Sequence, residues 1–168
     1  AIVFGVDLRE GVGIDALHGR VGALTGRLLA GLGALRHGNG APVARIFGPI
    51  GTERRGGTVA MNFYRADGSL VDHREIEERA AARRISLRTG CFCNPGAGET
   101  ALGLSRDEIV RCFPGGEGDD GPGSGFEHFR QCLNPQKGTG AVRISFGLAS
   151  NEADLEAVLG FAASIVDR

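Results

Sequence analysis

Thr58-Val59-Ala60-Met61-Asn62-Phe63-Tyr64-Arg65 reads as a half-buried strand, because Val59, Met61 and Phe63 alternate with Ala60, Asn62 and Tyr64. A strand with one apolar face needs a layer to cover that face. Upstream, Pro42 to Phe47 reads as a second strand, separated from the first by the glycine- and arginine-rich stretch 48–57. Downstream, Ala66-Asp67-Gly68 supplies a turn, and Asp72-His73-Arg74-Glu75 has capping-box spacing for a helix through Arg84. Ile85 to Thr89 is a short strand that runs into Gly90-Cys91-Phe92-Cys93-Asn94-Pro95-Gly96, where glycine and proline turn the backbone out of the sheet.

The covering layer comes from further out. Ile14, Leu17, Val21, Leu24, Leu28, Leu32 and Leu35 recur at steps of three and four, so a long helix is predicted from Ile14 to His37. Its five internal glycines each cost about 1 kcal/mol relative to alanine, so packing must hold it. Ser105-Arg106-Asp107-Glu108 opens a brief helix ending near Cys112. Ala141 to Leu148 is a strand, and Asn151 caps a last helix with Leu155, Val158, Leu159, Ala162, Ile165 and Val166 on its buried face. Residues 113–140, with Gly115-Gly116, Asp119-Asp120-Gly121-Pro122-Gly123 and Pro135, are expected to form a mobile glycine-rich loop in which Phe126 and Phe129 anchor one turn. The fold class expected is α/β (α+β): one domain over residues 1–168, with a small mixed sheet of about four strands and helices mainly on one face.

At 168 residues the chain is long enough to bury a core. Nineteen Lys and Arg against 20 Asp and Glu give a net charge of −1, so neither nucleic acid nor a membrane surface is expected as a partner. No apolar run reaches the ~20 residues of a membrane span, and a cytoplasmic location is expected. The start at Ala1 in an apolar stretch leads to the expectation that the chain begins inside a larger protein. Four cysteines, Cys91, Cys93, Cys112 and Cys132, are too few for a disulfide scaffold of this length, so reduced thiols are expected.

Cys91 and Cys93 read either as small buried hydrophobes or as thiolates on an exposed loop near the cation Arg88. A zinc site using these with Cys112, Cys132 and one of His18, His37, His73 or His128 is disfavoured, since a one-residue gap is tighter than ligand pairs normally show. No metal is expected. Arg143, in Ala141-Val142-Arg143-Ile144-Ser145, either grips a carboxylate from one sheet face or is an ordinary strand arginine paired with an acid. No phosphate-loop or dinucleotide pattern is present, and the four histidines read as ordinary surface or core residues.

Arg88-Thr89-Gly90-Cys91-Phe92-Cys93-Asn94-Pro95-Gly96-Ala97 together with Gly140-Ala141-Val142-Arg143-Ile144-Ser145-Phe146-Gly147 resembles the C-terminal small domain of fold-type I pyridoxal phosphate enzymes of the class V aminotransferase family. Within it, the resemblance is strongest to cysteine desulfurases and to the desulfurase domain of molybdenum cofactor sulfurases. The stretches 14–21 and 56–60 share the likeness. It implies that Cys93 takes sulfur from a cysteine–cofactor adduct and carries it as a persulfide. Cys91 stands where desulfurases often have His, and its role is left open. Arg143 is implied to hold the substrate carboxylate, with Arg88 at the same pocket. The implied substrate is L-cysteine or another amino acid, passed on to a sulfur acceptor. The family's cofactor lysine lies in a large domain that this chain does not match, and Lys137 sits in the wrong place to replace it. Pyridoxal phosphate is therefore implied to be held by the large domain and not covalently by this chain, whose isolated form is expected to be inactive. The likeness also implies a homodimer when full-length. The alternative expectation is a stand-alone, non-catalytic interaction domain on the same fold, or the small domain of another class V transaminase or lyase.

Overall fold

A computed structural model describes residues 2–91, 94, 96–112, 124–133 and 136–168. In chain order the elements are α1 (Ile2–Val12), α2 (Ile14–Ala34), β1 (Ala44–Phe47), β2 (Thr58–Phe63), α3 (His73–Ala81), β3 (Arg88–Gly90), α4 (Ala97–Leu102), α5 (Arg106–Cys112), α6 (Ser124–Cys132), β4 (Ala141–Ser145) and α7 (Glu152–Ala163). The strands form one sheet in the order β1-β2-β4-β3. Four strands match the expected number. Every pairing is antiparallel, which narrows the mixed sheet expected from sequence.

The alternation in β2 sets the layers. Val59 pairs with Ile144 and Met61 with Val142, so these four side chains share one face with Phe63. That face meets Leu24, Leu28 and Leu32 of α2, Ile76 and Ala80 of α3, and Leu155, Val158, Phe161 and Ala162 of α7 in a single buried cluster. The ring of Phe161 stands edge-on to Phe63, with centroids 6.2 Å apart. Asn151 caps α7 as expected: its Oδ1 accepts from Ala153 N at 2.8 Å, and Asp154 Oδ2 accepts from Asn151 N at 2.9 Å. At α3, Asp72 Oδ1 accepts from Arg74 N at 2.8 Å, whereas Glu75 turns away to Arg65 and Arg79 rather than closing a box.

α2 stops at Ala34, short of His37, because Leu35 is already extended. His37 is buried and holds the chain ends of two layers: its Nδ1 accepts from Asp167 N and its Nε2 lies 2.9 Å from Tyr64 O, so Nε2 carries the proton and donates.

Two expectations are corrected. Residues 124–132, placed in a loop by their glycine content, form α6; its Phe129 packs with Cys112 and Leu133 in a small second cluster. The reduced state expected of all the cysteines does not hold either, since Cys112 and Cys132 form a disulfide joining the last residues of α5 and α6. A small cluster of three buried side chains gives little apolar area, and a covalent link compensates for that. Residues 113–123 of the same stretch lie outside the described residues. Among the described residues, no helix is long and apolar enough to cross a membrane.

Candidate active site

The sheet face opposite the helices carries the polar residues. Arg143 stands directly across from Arg88 on β3 and from Ala60 on β2. Because facing residues of an antiparallel pair project to the same side, the two guanidinium groups share the face opposite α2, α3 and α7. Asn62 and Arg45 face each other one row further along the same side. The structure thus brings together the two arginines that the sequence singled out, on one face and in register.

The root of the cysteine loop is fixed by a backbone contact. Gly140 enters β4 so close to Gly90 that a Cβ there would lie 2.7 Å from the Gly90 carbonyl carbon. Asn62, only 3% exposed, donates from Nδ2 to Gly140 O at 3.2 Å and holds that segment in place. Gly90 itself has φ of 93°, a conformation costly to any residue with a Cβ. Thr89 Oγ1 donates to Glu77 Oε2 at 2.6 Å, tying β3 to α3. Cys91 follows at an exposed position, so the buried-hydrophobe alternative does not hold for it. Cys93 lies outside the described residues, as do Phe92 and Pro95.

Sequence reasoning missed Asn62 and His73. His73 starts α3 and lies beside Gly90, with Nε2 3.8 Å from where a Gly90 Cβ would be. Burial lowers the imidazole below its usual value despite the nearby Asp72 carboxylate. Burial works against ionisation of Asp72 too, but hydrogen bonds from the Arg74 backbone and side chain outweigh it and hold the carboxyl below its ordinary range. Arg130 of α6 reaches the same carboxylate at 3.2 Å. His73 carries only the signal of the Asp72–Glu75 cap sequence, which marks a helix start, and Asn62 only that of a polar position on a strand.

Lys137 lies 2.7 Å from both carboxylate oxygens of Glu108, and with Ser105 it pulls that carboxyl down to about 2. Among the described residues, no group of three or more His, Cys, Asp or Glu could hold a metal ion.

No protein-family model matches the chain. It is 40% identical over 136 residues to the molybdenum cofactor sulfurase of Arabidopsis thaliana, a match covering 77% of this chain and 15% of that protein. It is 34% identical over 135 residues to the Homo sapiens protein of that name, covering 77% of this chain and 14% of the relative. The Bos taurus protein of the same name matches at 31% over 168 residues, covering 96% of this chain and 18% of the relative. The chain therefore spans about 15% of the length of the relatives it matches. Over that segment the chain is similar to proteins named molybdenum cofactor sulfurase.

Proposed function

We propose that this chain is the C-terminal small domain of a pyridoxal-phosphate-dependent enzyme of class V aminotransferase type, performing cysteine desulfurase chemistry. In this reading the Cys93 thiolate attacks the sulfur of L-cysteine as the Cβ–S bond breaks, the electron pair of that bond staying on carbon, which takes a proton to give alanine. The Cys93 persulfide then yields its outer sulfur to an external nucleophilic acceptor, with Cys91 on the same loop. Arg143 and Arg88 grip the carboxylate of L-cysteine. The observation that carries the reading is the register of these two arginines, facing each other on the side opposite α2, α3 and α7 while β3 leads directly into Cys91. A planar cation forms two parallel hydrogen bonds to a carboxylate, and an anion between two guanidinium groups offsets their repulsion.

The chain's own residues do not suit a covalent hold on pyridoxal phosphate. Lys137 is its single lysine, and both oxygens of Glu108 engage it. The cofactor lysine then belongs to the large domain of the same enzyme, which pairs with a second copy in the homodimer. This chain supplies the carboxylate clamp and the sulfur acceptor, on the cytoplasmic side of the cell.

The test is sulfur loading of the full-length polypeptide with 35S-cysteine. Cys93→Ser should abolish protein-bound label while cofactor absorbance is kept, and Cys91→Ser should retain label. Arg143→Lys should raise KM for cysteine about tenfold or more, by losing the two-pronged contact. Full label on the Cys93→Ser protein refutes the assignment. The 168-residue chain alone, mixed with pyridoxal phosphate, should develop no imine absorbance.

A further inference from the structure

We infer that the sheet face opposite α2, α3 and α7 holds a second binding site, for a small organic anion whose carboxylate or phosphate rests on Arg45. A cavity of about 450 Å³ opens beside the Arg45–Asn62 pair. That size falls in the range of small-molecule pockets. Arg45, Arg65 and Lys137 line it, and among the described residues no Asp or Glu does.

The three cations are not equivalent. Arg65 is held by Glu75 at 2.6 Å and Lys137 by Glu108, and both acids lie outside the lining. Arg45, on edge strand β1, is exposed and forms no side-chain hydrogen bond or ion pair among the described residues. An incoming anion thus meets one uncommitted guanidinium, whose fork matches a carboxylate or phosphate, and two cations already fixed in position. Asn62, 3% exposed and directly across from Arg45, also lines the cavity and is fixed by its hydrogen bond to Gly140 O. Pro42, Leu102 and Tyr64 add apolar wall, which a bare inorganic ion would leave unused.

This site is separate from the arginine pair. Asn62 lies two residues from Ala60, the neighbour of Arg143, so the two rows are about 7 Å apart along the strands. Anion binding at Arg45 does not depend on the desulfurase reading and can hold or fail without it.

The experiment titrates the 15N-labelled 168-residue chain with phenyl phosphate, benzoate, inorganic phosphate and phenol, following amide shifts. Phenyl phosphate or benzoate should produce saturable shifts at Arg45, Asn62 and Gly138. Inorganic phosphate should bind more weakly and phenol not at all. Arg45→Gln should weaken binding about tenfold, as loss of one charge-assisted contact does, while Arg143→Gln leaves it unchanged. Arg45→Lys, which keeps the charge and loses the fork, should fall between. Unchanged affinity in Arg45→Gln, shifts centred on Arg88 and Arg143, or inorganic phosphate binding as tightly as phenyl phosphate would each overturn the inference.

Discussion

Replacing Gly140 by alanine isolates the backbone contact that seats the cysteine loop. The new Cβ would stand 2.7 Å from the carbonyl carbon of Gly90, 2.8 Å from its Cα and 3.0 Å from its oxygen. Carbon atoms rest at about 3.5–4.0 Å, so roughly 0.7 Å or more of movement is required, and both partners are main chain. Overpacking of this kind costs about 1–3 kcal/mol, or roughly 2–12 °C in Tm for a chain of this size. Two other glycines calibrate the effect. At Gly138 the added methyl would meet the Cδ2 of Leu70 at 2.5 Å, the far end of a side chain that can rotate, so about 0.5–1.5 kcal/mol is expected. At Gly33, exposed in α2 with nothing within 4 Å, alanine should stabilise by about 0.5–1 kcal/mol. Thermal unfolding followed by circular dichroism ranks the three variants, and alkylation of Cys91 by iodoacetamide reports on the loop. Gly140→Ala should melt lowest and alter the Cys91 rate. If it melts with the parent and Cys91 reacts as before, the contact does not seat the loop.

Asn151→Ala removes the acceptor of two helix N–H groups and should cost about 0.5–2 kcal/mol, measured by urea unfolding; no loss would mean water replaces the cap. Phe161→Ala empties a site 1% exposed against Phe63 and should cost about 3–5 kcal/mol, enough that a near-parental midpoint would contradict the core assigned here. The Glu108 carboxyl, at about 2 in the folded chain against an ordinary 4.5, contributes stability above pH 4.5 that disappears as pH falls towards 2. The stability gap between parent and Lys137→Met should therefore close over that interval, and a gap independent of pH would refute the pairing. Reducing the disulfide should speed hydrogen exchange in α5 and α6 and leave α2 and α7 protected, because the two clusters are separate. Uniform deprotection would show one cooperative core instead.

The elements that were legible in the sequence share one property, which is that their own side chains carry the signal. β2 and β4 alternate, α2 and α7 repeat at three and four, and Ser105 with Glu108 closes the reciprocal box its spacing implied. What stayed hidden depends on residues distant in sequence. α1 is mostly exposed and shows no buried stripe, so no periodicity marks it. α6 follows a glycine-rich run that ends at Gly123, and it gains its partner only when Cys132 meets Cys112 across 20 residues. Arg88 and Arg143 could each be picked out on a strand, but that they share a face follows from the β3–β4 register, which neither strand specifies alone. Asn62 looked like one polar position in an alternating strand; only the fold puts it under Gly140 and beside Arg45.

The two faces of the sheet divide the work between them. Val59, Met61, Phe63, Val142 and Ile144 point to the helices and hold the fold. Their alternating neighbours place Arg45, Asn62, Arg88 and Arg143 on the other side. Like charges directly opposite on neighbouring strands are unfavourable by about 0.2–1 kcal/mol, so stability alone would not choose Arg88 facing Arg143. Two cations in this register suit a place where a chain binds an anion, because an anion between the two groups reverses the sign of the contact. The same logic separates the effects of mutation: an apolar change on the helix side lowers Tm with the arginine register intact, whereas a charge change on the open side alters ligand affinity with little change in Tm.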